Sequence, residues 1–83
     1  MDTYSIEVFV ESKMKKFDFK IFGYDYMHLK DTFLQELRCQ CKLEKISGEI
    51  NVDVTAEKNG SYFDHDEFTA IVSDDFKNLE VEI

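Results

Sequence analysis

The stretch Tyr4-Ser5-Ile6-Glu7-Val8-Phe9-Val10-Glu11, followed after four residues by Lys16-Phe17-Asp18-Phe19-Lys20-Ile21-Phe22, decides the fold class. Tyr4, Ile6, Val8 and Val10 alternate with Ser5, Glu7, Phe9 and Glu11, and Phe17, Phe19 and Ile21 alternate with Lys16, Asp18, Lys20 and Phe22. Side chains of an extended chain point to opposite faces in turn, so each segment reads as a half-buried strand. With Ser12–Lys15 as the loop, Val10 faces Phe17, Val8 faces Phe19 and Ile6 faces Ile21, while Glu7 faces Lys20 and Glu11 faces Lys16. Apolar opposes apolar and acid opposes base, the pairing that stabilises an antiparallel ladder.

Outward from this hairpin the period changes. Leu29, Phe33, Leu37 and Cys41 recur every four residues, and Tyr26, Leu34 and Leu43 widen the stripe. Lys30, Asp31, Gln35, Glu36, Arg38, Gln40 and Lys42 occupy the other side. The pattern predicts an amphipathic helix laid on a sheet, with Asp25 as its N-cap and Ser47-Gly48 closing the connection that follows.

A third strand is expected over Glu49 to Glu57, with Ile50, Val52, Val54 and Ala56 on one face and Glu49, Asn51, Asp53, Thr55 and Glu57 on a polar one. Lys58-Asn59-Gly60-Ser61 is a two-residue hairpin turn signal. Used directly, it sets Val54 opposite His65 and Val52 opposite Glu67. A register that pairs Val54 with Phe68, Val52 with Ala70 and Ile50 with Val72 matches core with core. The second is preferred because an unpaired buried carboxylate costs more than a good turn gains. Lys58–Glu67 is then a long loop, or a small hairpin followed by a bulge. A fourth strand over Glu67–Ser73, a turn over Ser73–Asn78 and a last strand, Leu79–Ile83, with Leu79, Val81 and Ile83 inward, complete the chain. The expectation is a single α+β domain, 1–83, ordered ββαβββ, a mostly antiparallel sheet with one amphipathic helix on one face. Over the opening hairpin and the helix this order resembles the β-grasp architecture of ubiquitin-like domains. The ending Glu80-Val81-Glu82-Ile83 lacks a di-glycine tail, so conjugation is not implied.

The 83 residues are 43% apolar and 34% charged, without proline, a composition that builds one core. No apolar run reaches the ~20 residues of a membrane helix. Met1-Asp2-Thr3-Tyr4-Ser5 opens no basic-then-apolar signal, so a cytoplasmic location is expected, in the host's cytoplasm if the chain is viral. The net charge of −8 is unevenly distributed. Acids and bases balance over residues 1–45, whereas residues 46–83 carry Glu49, Asp53, Glu57, Asp64, Asp66, Glu67, Asp74, Asp75, Glu80 and Glu82 against only Lys58 and Lys77. This argues against direct nucleic-acid binding, which needs Lys and Arg for phosphates, and for a protein partner with a basic surface.

Catalytic signatures do not emerge. Cys39-Gln40-Cys41 places the thiols on different faces of a helix, where they cannot bridge, and supplies half a zinc site at most. Asp64-His65-Asp66-Glu67 is the densest group of potential ligands, but neighbours in an extended segment point alternately to opposite sides. The string also lacks calcium-loop spacing. No serine elbow and no glycine-rich phosphate loop is present. The chain therefore reads as a non-enzyme with no cofactor and no metal.

Strand residues at i and i+2 stand about 6.6 Å apart, so Glu49, Asp53 and Glu57 form one acidic row and Glu80 and Glu82 a second, with Asp64, Asp66 and Glu67 beyond the turn. An array of this kind would attract a groove shaped for phosphates. In size, acidity and lack of catalytic motifs the chain resembles the small proteins with which phages and mobile elements disable host defence. These are anti-restriction and anti-CRISPR inhibitors that imitate DNA or occlude a subunit. The resemblance implies an inhibitor of a nucleic-acid-handling protein. Tyr62 and Phe63 stand in the acidic segment as candidate interface anchors, and Phe9 and Phe22 lie on the polar side of the first hairpin. An alternative is a β-grasp-like adaptor that binds through Phe9 and Phe22. Free sheet edges add a homodimer to the expected partners.

Overall fold

The computed structural model describes residues 1–82. Its elements are β1 (Tyr4–Glu11), β2 (Lys16–Gly23), α1 (Tyr26–Glu44), β3 (Gly48–Lys58), β4 (Ser61–Val72) and β5 (Leu79–Glu82). The strands form one sheet in the order β2-β1-β3-β4-β5, with every neighbouring pair antiparallel. The ββαβββ order and the α+β class are those read from the sequence.

The opening hairpin has the expected register throughout, from Ile6 opposite Ile21 to Glu11 opposite Lys16. Its loop is tied by the Ser12 N–H donating to the Lys15 carbonyl at 2.9 Å. The helix starts where Asp25 accepts a hydrogen bond from the His28 N–H. It ends where Lys45 turns left-handed, with φ 58°, and the Ile46 N–H closes back on the Cys41 carbonyl at 2.9 Å. Leu29, Leu37 and Cys41 are buried and Phe33 packs edge-on against Phe68 of β4. Leu34 and Leu43 are exposed, contrary to the widened stripe. One helix lying on a sheet buries only the central arc of its circumference, and these two residues sit outside it.

The core is the inner face of the sheet under the helix: Ile6, Val8 and Val10 of β1, Ile50, Val52 and Ala56 of β3, and Ala70 and Val72 of β4. The inner residues of β2, Phe17, Phe19 and Ile21, are only half-buried, so cover thins toward that edge.

The β3–β4 hairpin corrects the sequence reading. The Asn59-Gly60 turn is used directly, with Lys58 opposite Ser61 and Glu57 opposite Tyr62. A bulge between Ala56 and Glu57 then takes up one extra residue of β4. Beyond it Val54 faces Asp66, Val52 faces Phe68, Ile50 faces Ala70 and Gly48 faces Val72, so neither register weighed from the sequence is adopted. A single inserted residue flips the phase of everything after it, and Phe68, Ala70 and Val72 thereby reach the core face without loss of the turn. Asp64 and Asp66 follow onto that face, yet both remain exposed, at the rim beside the first turns of the helix. The feared burial of carboxylates does not arise. Of the two forms expected for Lys58–Glu67, the long loop is absent and the small hairpin followed by a bulge is present, so β4 begins at Ser61 rather than Glu67.

The Ser73–Asn78 turn is held by the Arg38 guanidinium donating to the Phe76 carbonyl at 2.7 Å. β5 then pairs with β4 at the sheet's edge, with Leu79 and Val81 opposite Val72 and Ala70. Ile83, expected to point inward, lies outside the described residues. Among the described residues no helix is long and apolar enough to cross a membrane.

Candidate protein-interaction face

The helix covers one side of the sheet and leaves the other open. Because directly opposed residues share a face, the registers fix the open side row by row. One row runs Lys20, Glu7, Thr55 and His65, and the next Asp18, Phe9, Asp53 and Glu67. A third runs Lys16, Glu11, Asn51, Thr69 and Glu82, and a fourth Glu49, Ile71 and Glu80. Phe22, Ser5, Glu57 and Tyr62 form the row nearest the Asn59-Gly60 turn.

Of the residues nominated from the sequence, Glu49, Asp53, Glu57, Tyr62, Glu67, Glu80 and Glu82 therefore meet on this face. Asp64, Asp66 and Phe63 do not. Asp64 and Asp66 stand on the helix side, beside a cavity of about 170 Å³ floored by Ile6, Val54, Ala56 and Phe68 and flanked by Tyr26, Lys30 and Phe33. Phe63, brought round by the bulge, packs edge-on against Tyr26 and Tyr4, with ring centroids 4.9 and 5.8 Å apart. It is part of an aromatic cluster and not a free anchor. Burial, with the nearby Asp64 carboxylate adding to it, raises the pKa of the Tyr26 phenol above its ordinary value, so the hydroxyl stays protonated.

Sequence reasoning missed the contribution of the first half of the chain. Glu7, Glu11 and Asp18 join the same face because β1 inserts between β2 and β3, with Phe9 opposite both Asp18 and Asp53. The hairpin pattern had already put them on the polar side. What was lacking was the adjacency of β1 and β3, which no local signal specifies.

Cations on the face are few. Lys16 lies 3.8 Å from Glu11 and Lys20 3.9 Å from Glu57. Pairs this exposed are weak and leave the face negative. Among the described residues, Glu7, Asp18, Glu49, Glu80 and Glu82 have no cation within 4.0 Å. At the centre, His65 Nε2 is 2.8 Å from Asp53 Oδ1 and 3.8 Å from Glu67 Oε1. The three residues have donor atoms within 4.8 Å of one another, a ligand set suited to a divalent transition metal. The short Nε2–Oδ1 contact is already a hydrogen bond, so the imidazole is satisfied within the face. The sequence string Asp64-His65-Asp66 is thereby split: His65 takes partners from β3 and from two residues along β4, while its immediate neighbours point away.

A hollow of about 750 Å³ opens on this face around Phe9, with Asp18, Asp53, Glu67 and Thr69 on its rim. Phe9 is 48% exposed, and Phe22 and Tyr62 are 72% and 70% exposed. The face thus combines carboxylates at strand spacing with aromatic rings set among them. Comparison of the chain with known protein families, with curated proteins and with solved structures finds no significant match.

Proposed function

We propose that this protein is a small acidic inhibitor, of the anti-restriction or anti-CRISPR kind made by phages and mobile elements, with no catalysis of its own. It binds a host nucleic-acid-handling protein by presenting the open sheet face to a groove built for phosphates. The observation that carries the reading is the gathering of Glu49, Asp53, Glu57, Glu67, Glu80 and Glu82, together with Glu7, Glu11 and Asp18, on one uncovered face. Neighbouring strands lie about 4.8 Å apart and alternate residues about 6.6 Å apart, which makes a lattice of negative charge. Such a lattice speeds encounter with a basic surface and selects against acidic partners. Phe9, Phe22 and Tyr62 supply apolar contacts at which binding energy concentrates.

The test is capture of partners from a host lysate at low and high salt. Charge reversal at Asp53, Glu57, Glu67 and Glu80 is expected to abolish capture, and salt to weaken it. The same reversal at Asp64 and Asp66, on the opposite face, is expected to leave it intact. Capture that survives the first set of changes and is indifferent to salt removes the acidic-face reading. A second reading, an adaptor that docks through its aromatics, is favoured by the exposure of Phe9 and Phe22. It requires that Phe9→Ser with Phe22→Ser abolish capture while the charge changes do little.

A further inference from the structure

The two edges of the sheet are built differently. β5 is four residues long and its outward charges are Glu80 and Glu82, so a second copy laid against it meets repulsion. β2 is eight residues long, has neither proline nor bulge, and pairs on one side only, with β1. The phase of its free hydrogen-bonding groups follows from the loop. Ser12 and Lys15 are a hydrogen-bonded pair. Hydrogen-bonded and non-bonded pairs alternate along an antiparallel ladder. The N–H and C=O groups of Lys16, Asp18, Lys20 and Phe22 therefore point away from β1, to the open edge.

The sequence at this edge is complementary to itself. Laid antiparallel on a second β2 about Phe19, it sets Asp18 opposite Lys20 of the other copy, twice by symmetry. Lys16 then falls opposite Phe22, Phe17 opposite Ile21, and Phe19 opposite itself. The residues whose backbone groups point outward meet one another, as the ladder demands. Sliding the copies by one step either way puts Asp18 on Asp18 or Lys20 on Lys20. Two edge lysines would ordinarily deter pairing, but Asp18 between them turns repulsion into attraction in this one register. On the inner face the half-buried Phe17, Phe19 and Ile21 of each copy would extend the apolar layer.

We infer that the protein forms a two-fold symmetric dimer through β2, joining the two sheets into one continuous sheet with the open acidic faces on the same side. The inference is independent of the proposed function and would stand if no basic partner were found.

Three measurements test it. In light scattering over a concentration series the full chain is expected to pass from monomer to dimer. Asp18→Lys alone and Lys20→Asp alone should each weaken dimerisation about tenfold or more, and the combined exchange should restore it. Opposed Cα atoms of a non-hydrogen-bonded pair lie about 4.5 Å apart, within disulfide range. Phe19→Cys in a Cys39→Ser background should therefore oxidise to a covalent dimer with unchanged circular dichroism, and Val81→Cys in β5 should not. A chain that stays monomeric at every concentration, a combined exchange no better than the single ones, or cross-linking through Val81→Cys instead of Phe19→Cys would overturn the proposal.

Discussion

Cys41 and Cys39 differ in environment although only one residue separates them. Cys41 lies in the core beneath the helix, and burial pushes its thiol up to about 11; Cys39 is partly exposed. The thiolate is the reactive form. In the native protein at neutral pH one thiol, that of Cys39, is expected to react with a disulfide reagent, and the second only on unfolding. Two equivalent fast thiols would contradict the packing. The linkage has a definite sign. The unfolded thiol ionises near 9.0 and the folded one near 11, so between those values the unfolded state holds fewer protons. Stability contributed by the neutral thiol is present below pH 9 and is lost as pH rises toward 11. Denaturant midpoints of the native protein should decline across that window, and Cys41→Ala should flatten the decline.

At the scale of elements, the β3–β4 hairpin depends on a turn and a bulge acting together. Asn59 and Gly60 both have positive φ, 52° and 83°, as a two-residue turn of matching twist requires. Asn59 also ties down the N-terminus, its Oδ1 accepting from the Thr3 N–H at 2.9 Å. A Cβ at Gly60 would meet nothing within 4 Å, so any cost there is backbone strain alone. Gly60→Ala is expected to lower stability by about 1 kcal/mol, measured by urea unfolding. A neutral result would mean that the turn relaxes. The bulge reconciles two local signals. Asn59-Gly60 is a strong local signal and Phe68, Ala70 and Val72 a strong core signal, and they disagree by one residue. Both are satisfied because a bulge costs little when it sits beside the first turn of the helix, where Asp64 and Asp66 stay in water. That compensation depends on the position of α1 over the sheet, which neither signal contains.

For the whole molecule, the concentration of carboxylates on one open face implies self-repulsion in the folded state. Raising ionic strength from about 0.01 M to about 1 M shortens the screening length from about 30 Å to about 3 Å. The melting temperature is expected to rise, and a gain of about 1 kcal/mol corresponds to roughly 4–8 °C for a domain of this size. Reversing Glu80 and Glu82 to lysine should shrink the salt effect. A melting temperature that falls with salt would show that the ion pairs Lys16–Glu11 and Lys20–Glu57 outweigh the repulsion.

The amino-acid sequence alone determined the first hairpin with its register, the helix with its N-cap and buried stripe, and the ββαβββ order. Each rests on periodicity and on neighbours close in the chain, where side-chain alternation leaves one choice of face. Tertiary structure decided which strands lie side by side, and with that the composition of the acidic face. Glu7, Glu11 and Asp18 joined it because β1 lies against β3, and Asp64 and Asp66 left it because one extra residue in β4 reversed their side. Strand neighbours distant in sequence are chosen by how the whole core closes under the helix, a many-body packing condition that no local stretch of the chain carries.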